Sequence, residues 1–288
     1  MAGRSIDSSS VDAVWLQHEF GIFGGEAGDW IVDLLTPVAA PLIVSFHTIL
    51  SEPTPAQRRV MDWLIARATQ LVVMSNEGAA ALRRVYRVRA EQIRVIAHGV
   101  PDRPFGRGVQ MKSKFDLVGH DVLMTFGLLS PKKGLETVIA ALPAIVATNP
   151  KVIYVIAGAT HEKVLAFEGE AYRERLMALA HSLGVADHIR WVDRYLPTAE
   201  LLDLIEAADI YVTPYLNAEQ STSGTLSYAV ALGKAVISTP YRHAVELLEN
   251  GVGVVVPFGD PPATAKAVCD LLGCRADLAA MQQRAYGL

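Results

Sequence analysis

Cysteine is scarce in this sequence, and so are the residue clusters that bind metals. Only Cys269 and Cys274 occur among the 288 residues, and their spacing matches no metal-binding or redox motif. The eight histidines form no HExxH or similar cluster of ligands. We therefore expect both cysteines to be ordinary residues of a helical region, and we assign no metal-binding residue.

Positive charge in excess is also lacking. The formal net charge is −4 at pH 7, whereas a nucleic-acid surface needs clustered positive charge. We therefore expect no nucleic-acid partner. A small anionic ligand is not excluded, because one lysine and the amino end of one helix suffice to bind it.

Long uninterrupted hydrophobic runs are the third absence. The longest apolar stretch, residues 34–50, is interrupted by Pro37, Pro41 and His47, whereas a membrane span needs about 20 mostly apolar residues. The first ten residues, MAGRSIDSSS, have no apolar centre and do not resemble a signal peptide. We expect a cytoplasmic protein without a transmembrane segment, and peripheral contact with a membrane surface stays open.

Short β-branched runs alternate with longer amphipathic stretches along almost the whole chain. Several of the runs are continuously apolar, as in strands that are buried on both faces. Ten candidate strands lie at residues 11–17, 41–46, 71–74, 93–97, 122–126, 151–157, 189–192, 210–213, 235–238 and 252–256. Helical patterns separate most of them, at residues 54–67, 135–147, 163–183, 199–207 and 225–232. This alternation predicts an α/β fold with parallel sheets.

The pattern breaks in the polar, glycine-bearing segment 101–114, which we interpret as a linker. We therefore predict two domains, residues 1–105 and residues 106–288. Because ligands of open parallel sheets bind at the carboxyl ends of strands, the loops that follow strands are the candidate sites.

Two of these loops have the composition of anion-binding sites. The segment 127–134, GLLSPKKG, places Ser130 and Lys133 beside a helix start, where charge and free backbone amides favour phosphate. A solvated turn is the alternative. The segment 219–225, EQSTSGT, has hydroxyl groups and Gly224 at a helix start, which favours an anion site or, alternatively, a simple helix cap.

Histidines follow three other strands. His47 lies just past the strand at 41–46, where a neutral imidazole can exchange hydrogen bonds with a sugar hydroxyl. A histidine satisfied by the local backbone is the alternative. Weaker candidates on the acceptor side are His98 with Gly99 and His18 with Glu19.

Taken in order, several segments resemble glycosyltransferase family 4, the group 1 glycosyltransferases of the GT-B fold. They are SFHT at 45–48, VIAHGVPD at 95–102, FGLLSPKKGLETVIAAL at 126–142, YVIAGAT at 154–160, AADIYVTPY at 207–215, YAVALGKAVIST at 228–239 and ELLENGVGVVVPFGDP at 246–261. The resemblance implies two Rossmann-like doubly wound domains, of which the first binds the acceptor and the second a nucleotide diphosphate sugar. It also implies transfer of a hexosyl group with retention, without metal or cofactor, to a glycan or lipid acceptor.

The resemblance also implies roles for individual residues. His47 matches the family histidine near the transferred sugar and is therefore the candidate catalytic residue, and Lys133 matches the lysine that neutralises the donor pyrophosphate. The backbone at Arg194 and Tyr195 matches the segment that contacts the nucleobase. Ser223 and Gly224 match the loop that offers amides to the sugar or phosphate.

The chain departs from the family pattern at three positions. Leu128 stands where the family has an arginine, so one phosphate-binding cation is missing. The family's two glutamates, separated by seven residues, correspond to Gln220 and Tyr228, although the adjacent Glu219 can replace the first. These departures leave open a second interpretation, a non-catalytic sugar-nucleotide-binding or scaffold domain.

The chain is also short for the family. The family's opening strand and glycine-rich loop, and its terminal helix, have no counterpart, so we expect a fragment with an incomplete N-terminal domain. Other GT-B enzymes, such as epimerases and phosphorylases, form a third interpretation. A Rossmann dehydrogenase is the weakest, since no GxGxxG follows a strand and opens a helix.

Overall fold

The computed structural model describes residues 11–288; the segment MAGRSIDSSS, predicted not to be a signal peptide, lies outside the described residues. Residues 11–288 contain ten β-strands and twelve α-helices. The strands are β1 Val14–His18, β2 Leu42–Phe46, β3 Gln70–Val73, β4 Ile93–Val95, β5 Asp121–Phe126, β6 Val152–Ala157, β7 Ile189–Val192, β8 Ile210–Thr213, β9 Ala235–Ser238 and β10 Gly253–Val255. The helices are α1 Trp30–Leu35, α2 Pro55–Arg67, α3 Asn76–Tyr86, α4 Gly108–Lys114, α5 Leu135–Thr148, α6 Glu162–Glu168, α7 Ala171–Ser182, α8 Thr198–Ala207, α9 Gly224–Ala231, α10 Arg242–Leu247, α11 Pro261–Gly273 and α12 Arg275–Tyr286.

The chain forms two compact units. Unit 1 contains the described residues up to His98 together with Glu219–Thr222, and unit 2 contains Gly99–Ala218 and Ser223–Leu288. Every predicted strand is present within a few residues of its predicted bounds.

Unit 1 has a four-stranded parallel sheet in the order β1-β2-β3-β4. Its strands are buried against α1, α2 and α3, and the core includes Val44, Leu64 and Leu82. Helix α2 begins with a capping box, because the Thr54 side chain accepts from the Gln57 amide and the Gln57 side chain accepts from the Thr54 amide. Because the four strands are parallel, they all end at one edge of the sheet.

Unit 2 has a six-stranded parallel sheet in the order β10-β9-β8-β5-β6-β7. The chain moves outward from β5 through β6 to β7, then returns to pair β8 with the other side of β5. Strand order therefore reverses between β5 and β8, which is the switch point where doubly wound folds bind ligands. Hydrophobic cores cover both faces of the sheet. The predicted α/β class with parallel sheets is confirmed.

Two predicted boundaries were wrong. The helix predicted at residues 163–183 is two helices, α6 and α7, because Gly169 has φ +63° and ends α6 there. The linker predicted at 101–114 contains α4. Ion pairs hold this segment against α8, and a hydropathy pattern does not detect them. Arg103 and Arg107 both pair with the buried carboxylate of Glu206, and Lys114 pairs with Asp203 at 2.6 Å.

No helix among residues 11–288 is long and apolar enough to cross a membrane.

Candidate functional site

The switch point of unit 2 is built around Gly127, the residue that follows β5. Its φ of +125° suits glycine, and a Cβ at this position would lie 3.4 Å from Thr225 Cγ2 and 3.5 Å from Lys133 Nζ. Both distances are ordinary van der Waals contacts, so it is the backbone conformation that favours glycine here. Lys133 and Thr225 both lie against the backbone that follows β5, where ligands of doubly wound folds bind.

Lys133 is positioned by its own loop. Residues Pro131–Lys133 form a single 3-10 turn, and the Lys133 amide donates to the Ser130 carbonyl at 2.9 Å. Gly134 follows at φ +63°, so close to β8 that a Cβ would lie 2.2 Å from the Pro214 carbonyl oxygen. Only glycine fits there, and the loop is fixed against the next strand of the sheet.

The ammonium group of Lys133 has neutral partners. Its Nζ donates to Tyr215 Oη at 2.7 Å and lies 3.9 Å from the centre of that ring. Tyr215 Oη in turn lies 2.6 Å from Thr225 Oγ1. Among the described residues, no carboxylate forms an ion pair with Lys133, so its charge remains available to an anion.

The loop that ends at Thr225 belongs partly to each unit. In unit 1, Glu219 accepts a hydrogen bond from Ser51, and the Gln220 amide donates to the Thr222 carbonyl at 3.1 Å. In unit 2, the Ser223 hydroxyl caps α9 by accepting from the Leu226 amide at 3.3 Å. The Ser223 hydroxyl is thus a helix cap, and the anion site at this loop stays a prediction.

The expectation that Ser223 offers its amide to a ligand needs correction. Its N–H donates to His243 Nδ1 at 2.9 Å, because His243 is buried beneath the loop and presents an acceptor there. Gly224 opens α9 and is half-buried, and Tyr228 lies one turn later with its ring 6.4 Å from that of Phe126. The Ser223 hydroxyl lies 3.2 Å from Thr225 Oγ1, which joins it to the network of Tyr215 and Lys133.

The loop after β7 carries Arg194 and Tyr195. Both terminal nitrogens of Arg194 bind the Glu200 carboxylate, at 3.0 and 2.5 Å, and the Tyr195 side chain is 82% exposed. The structure therefore leaves a broad aromatic surface open at this strand end. The Arg194 side chain is engaged within the protein, and its amide donates to the Val192 carbonyl at 3.0 Å.

A residue that sequence reasoning missed, Arg173, holds this region together. It is 5% exposed, donates to the Gly158 carbonyl at 3.0 Å after β6, and pairs with Asp193 at 2.5 Å after β7. Arg173 thus ties two neighbouring strand-end loops to α7. No motif marks it, because an arginine within an amphipathic helix has the pattern of a solvated residue.

In unit 1, the corresponding edge of the sheet centres on His47. Its amide donates to the His18 carbonyl at 3.0 Å, and its Nε2 lies 2.9 Å from Gln17 Oε1. An amide oxygen only accepts, so this contact places the imidazole proton on Nε2 and leaves Nδ1 as an acceptor in the neutral ring.

Burial keeps this imidazole neutral. It lowers the pKa of His47 below its usual value; the nearby Glu19 carboxylate opposes the shift and His98 adds to it. Glu19 accepts from the Thr48 hydroxyl at 2.6 Å and from the Phe20 amide at 2.9 Å. His98 is half-buried in unit 1, whereas the exposed Gly99 belongs to unit 2.

His18 does not face a ligand site, contrary to expectation. The side chain is fully buried, with its ring centre 5.0 Å from Phe20, 6.2 Å from Phe23 and 5.4 Å from Phe46. Neither ring nitrogen has a hydrogen-bond partner among the described residues. Burial lowers the pKa of His18 to about 4, so the ring is neutral at pH 7. The alternation along β1 turns His18 inward, since Leu16 and His18 are buried and Gln17 between them is exposed.

The structure thus brings His47 together with Glu19 in unit 1, and Lys133 together with Ser223 in unit 2. Sequence reasoning missed three groups that complete these sets, namely Gln17, Tyr215 and Thr225. Tyr215 ends the segment 207–215 and Thr225 ends the segment 219–225, and both follow β8. Their position after a strand could have marked them as candidates. Among residues 11–288, no group of three or more His, Cys, Asp or Glu side chains is arranged to hold a metal.

Comparisons with known proteins agree on the relationship. Residues 111–287 match the family model described as glycosyl transferases group 1, and residues 27–103 match that of glycosyltransferase family 4. The D-inositol 3-phosphate glycosyltransferase of Segniliparus rotundus is 27% identical over 282 residues, covering 92% of this chain and 60% of that protein. A phosphatidyl-myo-inositol mannosyltransferase of Mycolicibacterium smegmatis is 30% identical over 155 residues, 54% of this chain and 36% of that protein.

Solved structures share the fold. Anabaena HepE in complex with UDP aligns with a TM-score of 0.78 at 19% identity, covering 99% of this chain and 76% of that one. WaaG, a glycosyltransferase involved in lipopolysaccharide biosynthesis, aligns with a TM-score of 0.71 at 14% identity, covering 99% and 89%. The chain spans about 60% of the length of the inositol phosphate glycosyltransferases that it matches. Since one family model covers more than half of it, the chain belongs to the group 1 glycosyltransferases.

Proposed function

We propose that this chain carries the donor site and part of the acceptor site of a retaining, metal-independent hexosyltransferase that uses a nucleotide diphosphate sugar. Unit 2 binds the donor, and unit 1 contributes His47 and Glu19 on the acceptor side. The proposal includes no cofactor, since the donor itself supplies the activated hexosyl group and Lys133 the positive charge. The cytoplasm, where such donors would be met, is the proposed location.

One observation carries the donor proposal, namely the unpaired charge of Lys133 at the switch point. Its ammonium group lies beside Gly127, where a Cβ would come within 3.5 Å of Nζ. Negative charge develops on the diphosphate as the glycosidic bond breaks, and a fixed cation stabilises that charge. The UDP bound to the structurally similar HepE supports a nucleotide diphosphate ligand and leaves the base of the donor open.

The acceptor proposal follows from the groups at the other sheet edge. His47 and Glu19 are hydrogen-bonding groups suited to hydroxyls, and with a neutral imidazole they do not attract an anion. Relatives named as inositol phosphate and phosphatidyl-inositol glycosyltransferases support a polyol-bearing acceptor, either a glycan or a lipid headgroup.

Donor turnover tests the proposal. The protein is incubated with UDP-glucose, GDP-mannose and ADP-glucose, and release of nucleoside diphosphate is measured alongside calorimetric donor affinity. Lys133→Ala should weaken affinity for the released diphosphate by roughly 10- to 150-fold, which is the value of a charged hydrogen bond. Lys132→Ala is the matched control, because that side chain is exposed. Equal affinity in wild type and Lys133→Ala would refute the phosphate role.

The non-catalytic alternative rests on Leu128 and Tyr228. Leu128 is 38% exposed in the lysine loop, at the position of the family's second cation. Tyr228 offers one hydroxyl where the family has a carboxylate that can accept two hydrogen bonds. Saturable donor binding without any release of diphosphate, in a protein extended to the length of its relatives, would favour this alternative.

A further inference from the structure

A cavity of about 450 Å³ lies in unit 1 beside α1 and α2. Its polar and aromatic walls come from the loop before α1, from α1 and from α2: Glu26, Asp29, Trp30, Asp33, Arg59 and Trp63. The volume falls within the ~300–1,000 Å³ typical of small-molecule sites. Both helices follow strands that end at the His47 edge, and their amino-terminal turns line the cavity.

One of the two tryptophans that line the cavity, Trp30, is held in place although it is exposed. Trp30 is 66% exposed, and its ring lies against the backbone of Gly24 and Gly25. A Cβ would lie 2.5 Å from Trp30 Cε3 at Gly24 and 2.7 Å from Trp30 Cδ1 at Gly25, and both glycines have positive φ. Glycine is therefore required here to support an open aromatic surface, which is costly unless something covers it.

The carboxylates of this cavity are accessible to a ligand, since Glu26 and Asp33 are exposed and Asp29 is half-buried. Within the described part of the chain, no side chain donates to Asp29 or Asp33, whereas Glu26 pairs with Arg59 at 3.3 Å. Three carboxylates and one guanidinium leave an excess of negative charge in the cavity. A phosphate or carboxylate ligand is therefore repelled, and a hydroxyl-rich neutral ligand supplies the donors that carboxylates lack.

We propose that this cavity binds a neutral saccharide unit of the acceptor, away from the hydroxyl that reacts. The apolar face of a sugar ring stacks on Trp30 and Trp63, and its hydroxyls donate to Asp29 and Asp33. The acceptor role rests on the proposed function, since a sugar transferase needs to hold a hydroxyl-rich acceptor. A fatty acyl chain does not fit, because it would bury carboxylates without partners.

Tryptophan fluorescence locates the site. The chain has four tryptophans, so the double variant Trp15→Phe, Trp191→Phe keeps only the two in the cavity. Maltotriose and methyl α-glucopyranoside are the saccharide probes, and choline is the cationic probe. We expect a saturable change in emission with maltotriose and a weaker response to the monosaccharide.

Variants then test the contacts by calorimetry with maltotriose. Trp30→Ala should weaken binding at least about tenfold, Trp30→Phe should retain most of it, and Asp33→Asn should weaken it about threefold. Trp15→Ala is the matched control, because Trp15 is 57% exposed on β1 and lies outside the cavity. Its affinity should stay within about twofold of wild type.

Three results would overturn the saccharide site: no saturable response to maltotriose, unchanged affinity in Trp30→Ala with native circular dichroism, or binding of choline alone. Diphosphate release from the donor is measured in the same variants. Normal diphosphate release without maltotriose binding refutes the saccharide site but leaves the proposed function standing. Maltotriose binding without any donor turnover refutes the acceptor role and spares the saccharide site.

Discussion

In unit 2, the strands at the switch point end in Gly127 and, two residues past β8, Tyr215, with Lys133 between them. In unit 1, Gln17, Glu19 and His47 lie at or next to the carboxyl ends of β1 and β2. The edge in unit 2 has one cation close to the backbone. The edge in unit 1 has several hydrogen-bonding side chains around a neutral histidine.

The two edges differ in the charge of their central residues, Lys133 and His47. The ammonium group of Lys133 lies among the neutral hydroxyls of Tyr215 and Thr225, so that an anion can form a charge-assisted hydrogen bond with it. His47 loses its charge through burial, although a carboxylate lies nearby. In the proposed function, the same parallel-sheet geometry serves an anionic donor in one unit and an uncharged hydroxyl in the other. Each prediction below changes one side of this contrast.

The largest effect is expected in unit 2 for Gly134→Ala. The new Cβ would meet the Pro214 carbonyl at 2.2 Å, and the residue would keep a left-handed φ of +63°. Steric overlap and backbone strain together should lower the free energy of unfolding by about 2–5 kcal/mol. Urea denaturation measures the loss. Gly184→Ala, at φ +67° with no described atom within 4 Å of its Cβ, should lose only about 1–2 kcal/mol. Equal losses would show that the Lys133 loop tolerates displacement.

The next effect concerns the acid stability of unit 1. His18 is neutral when folded down to a pKa of about 4, whereas the unfolded chain takes up a proton near pH 6.5. The unfolded state thus binds more protons between these values, and stability falls as the pH is lowered through this range. At about 1.4 kcal/mol per pH unit, the loss reaches about 3 kcal/mol by pH 4.

His18→Phe should remove that acid sensitivity, because a phenyl ring among Phe20, Phe23 and Phe46 neither titrates nor leaves polar atoms unpaired. Urea denaturation at pH 7, 5.5 and 4 measures the difference from wild type. His181→Phe, an exposed position on α7, is the control and should keep the wild-type dependence. An unchanged pH slope in His18→Phe would contradict the assignment.

The sequence predicted most of the fold and only part of the site. All ten strands were predictable because continuous apolar runs bounded by loops have few other structures available. The single helix predicted at 163–183 hid the break at Gly169, since its apolar period continues on both sides. The segment 101–114 was predicted to be a linker because it is polar and has no hydrophobic period. Ion pairs of Arg103 and Arg107 with Glu206 hold it in place, but they join residues about 100 positions apart, which a local sequence pattern does not detect.

The same distinction applies to the site residues. Lys133 and His47 follow strands and were predictable from position alone. The direction of His18 depends on which face of β1 is covered, and the amide of Ser223 depends on His243 from a separate helix. These contacts depend on packing between elements that are distant in the sequence, and a single sequence does not show that packing.

A test of the unit 1 edge is His47→Ala. If this histidine takes part in transfer, kcat should fall at least about a hundredfold, or ~2.7 kcal/mol, with donor affinity in unit 2 nearly unchanged. Because burial lowers its pKa, wild-type turnover should persist below pH 6.5, and an acid limb beginning above that pH would contradict a neutral role. His181→Ala, an exposed position in unit 2, serves as the control. Full turnover in His47→Ala would remove this residue from the catalytic set.

The smallest predicted effect separates the presence of His47 from its orientation. Gln17→Leu keeps the imidazole and removes the oxygen that accepts from its Nε2 at 2.9 Å. One neutral hydrogen bond is worth about 0.5–1.5 kcal/mol, so kcat should fall about 2- to 10-fold at constant donor affinity. Gln110→Leu, exposed on α4, should leave kcat unchanged. If Gln17→Leu matches wild type while His47→Ala is inactive, the imidazole acts without a fixed tautomer. The hydrogen-bonding side of the contrast would then depend on where His47 lies and not on how its ring is held.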